Sequence, residues 1–212
     1  MVITHHGNQF FKLQFGDIVV AVNPISKDSK MKSTRFGADV CLISTNHPDF
    51  NGAEVLGFGD KQPFVVTGPG EYEIKGVFVK GMSSSSSYGG KEMINTIYSF
   101  SLDNINMCFL GALDAKELSK ETLEEIDDVD ILFVPIGGNG VLDPHEAYKL
   151  AIKFEPKIIV PVGIDGEGAS KDALKIFFKE GGEGETKPVD KLTLKKKDLE
   201  GKEGDIVVFS AS

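Results

Sequence analysis

The sequence predicts an α+β protein in which two mixed β-sheets pack face to face with helices on the outside. Three observations carry that expectation. The first hundred residues read as consecutive short strands, because runs rich in Val, Ile, Phe and Tyr are bounded by Gly, Pro, Asn and Asp, with no helical periodicity. From about residue 119 the pattern changes to strands alternating with amphipathic helices. The composition, 41% hydrophobic and 26% charged over 212 residues, is that of a globular chain. A chain this long buries roughly 70% of its unfolded surface, enough for one large core, so a single domain over 1–212 is expected. No internal repeat interrupts it.

The elements follow in order. Phe10 to Phe15 and Asp17 to Val22 flank Gly16 as a hairpin whose second strand is buried on both faces. A loop spans Asn23 to Phe36, and Asp39 to Ser44 is an apolar strand that ends in the polar segment Thr45 to Asp49. Phe64 to Thr67 and Tyr72 to Met82 are expected to pair across Gly68-Pro69-Gly70, with Gly76 as a bulge and Ser83 to Ser87 as a serine loop. Ile94 to Leu102 and Ile105 to Leu110 form a hairpin across Asp103-Asn104. Ser119 caps a short helix reaching about Ile126, with Leu118 and Leu123 as its hydrophobic staple.

Ile131 to Val134 is a buried strand. Asp143-Pro144-His145-Glu146 combines an N-cap Asp, Pro at the first helical position and an acid at the third. The helix it starts carries Ala147, Leu150, Ala151 and Phe154 on one stripe and stops at Pro156, before the strand Ile158 to Val160. Ser170 is expected to cap a helix from Lys171 to Glu180 that turns Leu174, Phe177 and Phe178 inward, and Asp205 to Phe209 is a last strand.

Charge and cysteine usage narrow the function classes. Thirty-two acidic against 23 basic side chains give a formal charge of −9, which repels phosphate backbones and anionic membrane surfaces; nucleic acid and membranes are excluded as partners. Cys41 and Cys108 sit inside apolar runs, where a thiol behaves as a small buried hydrophobe in a reducing compartment. The start, MVITHHGNQF, has neither a basic nor a long apolar region of the kind secretion signals carry. A cytoplasmic location is expected.

The segment Ser44-Thr45-Asn46-His47-Pro48-Asp49-Phe50, following a buried strand, resembles the metal-binding loop of the metallo-β-lactamase superfamily. GADVCLISTNHPDFNG, FVVTGPGEYEIKGVFVKGMS, VDILFVPIGGNGVLDPHEAYKLAIKFEPKIIVPVGI and PVDKLTLKKKDL look like successive landmarks of its bacterial branch of ascorbate-phosphate-lactonase-like hydrolases. The resemblance covers most of the chain. It implies a four-layer αββα sandwich and, in the family's enzymes, one or two metal ions held by the loop HxHxDH, by later histidines and by a bridging Asp.

Matched residue by residue, that ligand set is incomplete. The first His of the loop falls on Thr45, the second on His47, the Asp on Asp49 and the final His on Phe50. The next family His falls within Ser83 to Ser87, the bridging Asp on Ala112, the last His on Gly163, and the Gly-His pair near the start reads Gly7-Asn8. A catalytic zinc takes three protein ligands and a water, and His47 with Asp49 supplies two. Without the cation, the ionised water that serves as nucleophile is lost. Phe50 adds a bulky ring where a ligand stood. The expectation is therefore a pseudo-hydrolase with no bound metal and no confident catalytic residue, Asp49 and His47 being vestiges, which binds a small molecule or a protein. The alternative is a hydrolase of a lactone or phosphodiester with a rearranged or mono-metal site, holding zinc or manganese through His47, Asp49 and His5 or His6.

Each polar residue also has a structural reading. Asp49 caps loop amides and His47 is held by the backbone; His5 and His6 lie on the first strand, where alternation sends one inward, and a strand-end surface histidine is the default. His145 is exposed on its helix, and Glu71 and Glu73 share a strand face with no acid/base partner marked. Gly137-Gly138-Asn139-Gly140 resembles a phosphate loop but lacks a Walker Lys, and Asp143 occupies the cap, so it is read as a loop near the old pocket. Lys195-Lys196-Lys197 is read as a solvated edge. Self-association with a second copy is left open.

Overall fold

A computed structural model describes residues 1–166, 168–182, 184 and 186–210. Its first sheet has the strand order β12-β1-β2-β3-β4-β5, built from β1 (Val2–His5), β2 (Phe11–Phe15), β3 (Ile18–Val22), β4 (Val40–Leu42), β5 (Phe64–Val66) and β12 (Lys191–Thr193). The second runs β13-β11-β10-β9-β8-β7-β6, from β6 (Gly70–Ile74), β7 (Val77–Ser86), β8 (Met93–Leu102), β9 (Ile105–Phe109), β10 (Ile131–Pro135), β11 (Ile158–Val162) and β13 (Asp205–Ile206). Both sheets are mixed. Antiparallel hairpins pass into parallel strands at β3-β4-β5 in the first and at β9-β10-β11-β13 in the second.

The two sheets meet over a core in which Phe11, Leu13, Val20 and Leu42 face Val79, Tyr98, Phe109 and Phe133. Phe109 and Phe133 stack with centroids 3.8 Å apart, and Phe11 stands edge-on to Phe133 at 4.9 Å. The helices α2 (Pro144–Ala151) and α3 (Ala173–Glu180) cover the outer face of the second sheet, and α1 (Lys120–Glu125) buries no residue of its own but ends on Ile126, which joins that layer. The outer face of the first sheet is covered by the 23–36 loop and a 3₁₀ turn at Ala53–Val55, through Ile25, Met31, Phe36 and Val55.

The helix starts follow the sequence signals. Ser119 Oγ accepts the Thr122 amide at 3.1 Å, and Asp143 Oδ1 accepts the amides of His145 and Glu146. α3 departs from expectation: it begins after Asp172, two residues beyond Ser170. Asp103 and Asn104 both take positive φ in the β8–β9 turn, as a tight hairpin of right-handed twist requires.

Several strand assignments need correction. Ser83 to Ser86 are strand, paired with Thr96 to Met93 in β7–β8, and only Ser87 lies beyond. Gly76 is no bulge; with Lys75, at φ of 53° and 80°, it makes a two-residue turn between β6 and β7, so one expected strand is two. β5 and β6 do not pair, because Gly68-Pro69 carries the chain from one sheet to the other. β12 has no counterpart in the sequence reading. Lys196 is not simply solvated: its Nζ lies 2.6 and 2.9 Å from the carboxylate oxygens of buried Asp130. Strand Asp205 to Phe209 shortens to β13, with Phe209 bridging Val189.

Candidate functional site

The C-terminal ends of β4, β9, β10 and β11 all open onto one end of the sandwich, the place where parallel strands present loops to a ligand. Thr45, His47, Asp49 and Phe50 follow β4; Ala112 follows β9; the Gly137–Gly140 turn follows β10; Gly163 follows β11. The side chains there are committed to one another. Asp49 is buried, with Oδ1 accepting from Ser29 Oγ at 2.5 Å and Oδ2 accepting from Tyr88 Oη at 2.8 Å. His47 Nδ1 accepts the Asp49 amide at 3.2 Å. Asp49 Oδ2 lies 3.7 Å from that Nδ1, too far for a hydrogen bond.

The positions to which the resemblance assigns ligands are taken up otherwise. Thr45 Oγ1 donates to the Ile94 carbonyl at 3.0 Å. Phe50 is fully buried and forms an apolar cluster with Tyr88 and Ala112, flanked by Met93 and Val141. The Ala112 amide donates to Asn95 Oδ1 at 2.8 Å, and Asn95 Nδ2 donates to the Leu110 carbonyl and to Ser84 Oγ, so one buried amide braces the turn after β9. Gly163 has φ +72°, a conformation that a histidine would adopt only under strain. In the serine run, Ser85 and Ser87 donate to the two carboxylate oxygens of Asp114 at 2.6 Å each, and Ser86 Oγ accepts the Tyr88 amide.

Neither N-terminal histidine is the surface residue expected. His5 is buried, stacks on Phe11 at 4.7 Å and pairs through Nε2 with the Asn8 carbonyl; burial pulls its pKa below the usual value. His6 lies against Phe10 and Phe36, each ring 5.3 Å away, and burial, helped by the charges of His5 and Lys12, lowers its pKa to about 4. Asn8 donates its amide to both Asp165 carboxylate oxygens at 2.9 and 3.0 Å and its Nδ2 to the Asp49 carbonyl at 3.3 Å. His145 is exposed as expected, with Nδ1 2.8 Å from Glu180 Oε1. Glu71 is likewise exposed, 4.0 Å from Lys80.

Two spaces adjoin these residues. An open cleft of about 420 Å³ is lined by Asp28, Ser29, Met31, His47, Asp165 and Gly166. Deeper in, a chamber of about 10 Å³, enough for one water, lies between Asn8, Tyr88, Gly137, Gly163 and Gly166; the glycine-rich turn does border the pocket, as its sequence position suggested. A larger groove of about 510 Å³ lies elsewhere, at the start of β11 and β13, and shares no residue with the strand-end loops.

The donor set does not fit the metal that the resemblance implies. A catalytic zinc requires three protein ligands with free lone pairs. Here the single lone pair of His47 Nδ1 accepts the Asp49 amide, each Asp49 oxygen is engaged by a hydroxyl, and the position that the resemblance gives to a further ligand is the buried apolar ring of Phe50. Among the described residues no three His, Cys, Asp or Glu side chains converge to hold a metal ion. The cleft itself presents a ligand with a mixed lining, Lys30 and His47 beside the carboxylates of Asp28, Asp49 and Asp165. Tyr88 and Ser29, the partners of Asp49, were missed from sequence; the one available signal was an aromatic residue directly after the serine run.

The comparisons with known proteins agree with this architecture. Residues 2–163 match the family model described as a beta-lactamase superfamily domain. A protein of Listeria welshimeri named a metal-dependent hydrolase is 23% identical over 193 residues, covering 76% of this chain and 84% of its own. One from Thermoplasma acidophilum with the same description is 24% identical over 184 residues, covering 76% of this chain and 81% of its own. A solved structure from Thermotoga maritima, described as a Zn-dependent hydrolase of the metallo-beta-lactamase superfamily, superposes with a TM-score of 0.77 at 26% identity, over 98% of this chain and 97% of that one. The metallo hydrolase Igni18 of Ignicoccus hospitalis shares the fold with a TM-score of 0.66 at 16% identity, over 100% of this chain and 95% of that one. No helix among the described residues is long and apolar enough to cross a membrane. On the family match and this shared sandwich, the chain belongs to the metallo-β-lactamase superfamily.

Proposed function

We propose that the chain is a non-catalytic member of its superfamily, a pseudo-hydrolase that binds a small molecule or a protein in the cleft beside His47. The observation that supports this reading best is the state of Asp49: both carboxylate oxygens are taken by the hydroxyls of Ser29 and Tyr88, so the acid serves to tie loops together. The cleft supports binding because its volume, about 420 Å³, suits a small ligand and its wall mixes apolar Met31 and Pro48 with His47, Lys30 and the carboxylates of Asp28 and Asp165. The formal charge of −9 favours a partner other than nucleic acid or a membrane. A cytoplasmic location belongs to the same proposal, tested by fractionation, and self-association by light scattering.

The second reading is a metal-dependent hydrolase with a rearranged or single-metal centre acting on a lactone or phosphodiester. It is favoured by the relatives being named metal-dependent hydrolases and by His47 and Asp49 being present at all. Assays on generic lactone and phosphodiester substrates in zinc- or manganese-supplemented buffer separate the two. The non-catalytic reading expects no turnover above buffer. Turnover abolished by chelator and by His47→Ala would replace it with the second reading.

A further inference from the structure

We propose that Tyr88 has taken the place of the metal: its ring and hydroxyl form a plug that keeps a cation from the strand-end site even where ligands are supplied. This deepens the non-catalytic reading, but its test concerns cation entry, and the turnover assay above concerns catalysis.

Tyr88 is 5% exposed and sits two residues past the end of β7, at the first position of a 3₁₀ turn over Tyr88–Gly90. Its backbone is fixed from three sides. Ser86 Oγ accepts its amide at 3.2 Å, the Ser87 carbonyl accepts the Gly90 amide at 3.0 Å, and the Ser87 amide donates to the Gly140 carbonyl at 3.1 Å. Gly140, at φ +92°, is required for that last approach, since a Cβ there would collide with the Ser87 carbonyl. The ring is then held edge-on between Phe50, at 4.9 Å and 86°, and His47, at 5.0 Å and 82°.

From this position the hydroxyl donates to Asp49 Oδ2 at 2.8 Å. A zinc ion binds a carboxylate oxygen at about 2.0–2.2 Å, so a cation approaching Oδ2 from the pocket meets the tyrosine oxygen already seated in its coordination sphere. The neutral O–H also satisfies the buried carboxylate without bringing in a charge. On the Tyr88 side of the site the space left is the chamber of about 10 Å³, bounded by Tyr88 and by four glycines, while the open cleft adjoins His47 and Asp49. Loss of ligands and insertion of the ring are thus two separate changes. Restoring the first does not undo the second.

The test uses purified, metal-stripped chains titrated with zinc chloride in a calorimeter, their folding checked by circular dichroism. One variant carries Thr45→His, Phe50→His and Ala112→Asp, leaving Gly163 alone because its φ of +72° would strain a new side chain. A second adds Tyr88→Ala. The plug predicts about one zinc per chain in the second, with affinity about tenfold or more above that of the first, the cost of competing with a hydrogen bond to a charged group. Equal affinity in the two would overturn it. A pair with one restored ligand carries the test should the multiply substituted chains not fold. In that pair, Phe50→His with and without Tyr88→Phe, the new imidazole brings the ligands to three with His47 and Asp49; manganese(II) is predicted to broaden the amide signals of residues 47, 49 and 50 more where Tyr88 is replaced, and equal broadening would refute the plug.

Discussion

Replacing Phe50 by alanine probes whether the pocket is filled or open. The Phe50 side chain is fully buried, and its neighbours Tyr88, Ala112 and Met93 are fixed by their own hydrogen bonds or strands, so the site collapses poorly when the ring is removed. Truncating a buried phenylalanine costs about 3–5 kcal/mol, from lost transfer free energy and the cavity left behind. For a chain of this length about 1 kcal/mol moves the melting temperature by about 2–4 °C, so Phe50→Ala is expected to lower it by roughly 6–20 °C. Urea unfolding followed by circular dichroism measures the loss directly, with an unchanged m value showing that the native state is no less compact. A ring lining an open, hydrated metal centre would cost far less, as surface substitutions do. A loss below about 1 kcal/mol would refute the filled pocket.

Further outcomes follow from buried polar groups. Asn95→Ala strands the Ala112 amide and the Leu110 carbonyl in the interior, and a loss of at least about 1–3 kcal/mol is expected in the same urea experiment. His6 is neutral in the folded chain down to a pKa of about 4, against about 6.5 unfolded; its contribution is complete above pH 6.5 and is lost as the pH falls towards 4, so His6→Gln should flatten stability over that window. Burial works against the Asp39 carboxylate, but Lys75, the Val19 amide and Lys61 outweigh it and hold its pKa below the ordinary value. Stability from Asp39 is therefore present above about pH 4 and lost on further acidification, and the gap between native and Asp39→Asn chains should narrow there in pH-jump unfolding.

Local chemistry made much of this molecule legible. Asp143 before Pro144 and Ser119 before α1 cap as their residue types dictate, because a cap is satisfied within three residues of itself. The serine run was misread for the opposite reason. Serine has little intrinsic strand preference, and Ser83 to Ser86 become strand only because Met93 to Thr96, about ten residues on, supply the ladder. Lys75-Gly76 hides a tight turn because lysine is an unusual residue at positive φ, and here its Nζ is tied to Asp39 at 2.6 Å. At the site, the resemblance assigns ligand positions one by one. The partners found there could not be read in the sequence, since Ser29 and Tyr88 reach Asp49 from 20 and 39 residues away.

A strand-end site closed to metal ions has one plain consequence, the metal content of the purified chain. Chain expressed in medium supplemented with zinc, manganese and iron, then purified without chelator, should carry far less than one ion per molecule by elemental analysis, and its melting temperature should not move when a chelator is added. About one ion per chain, with a melting temperature that falls on its removal, would contradict the account.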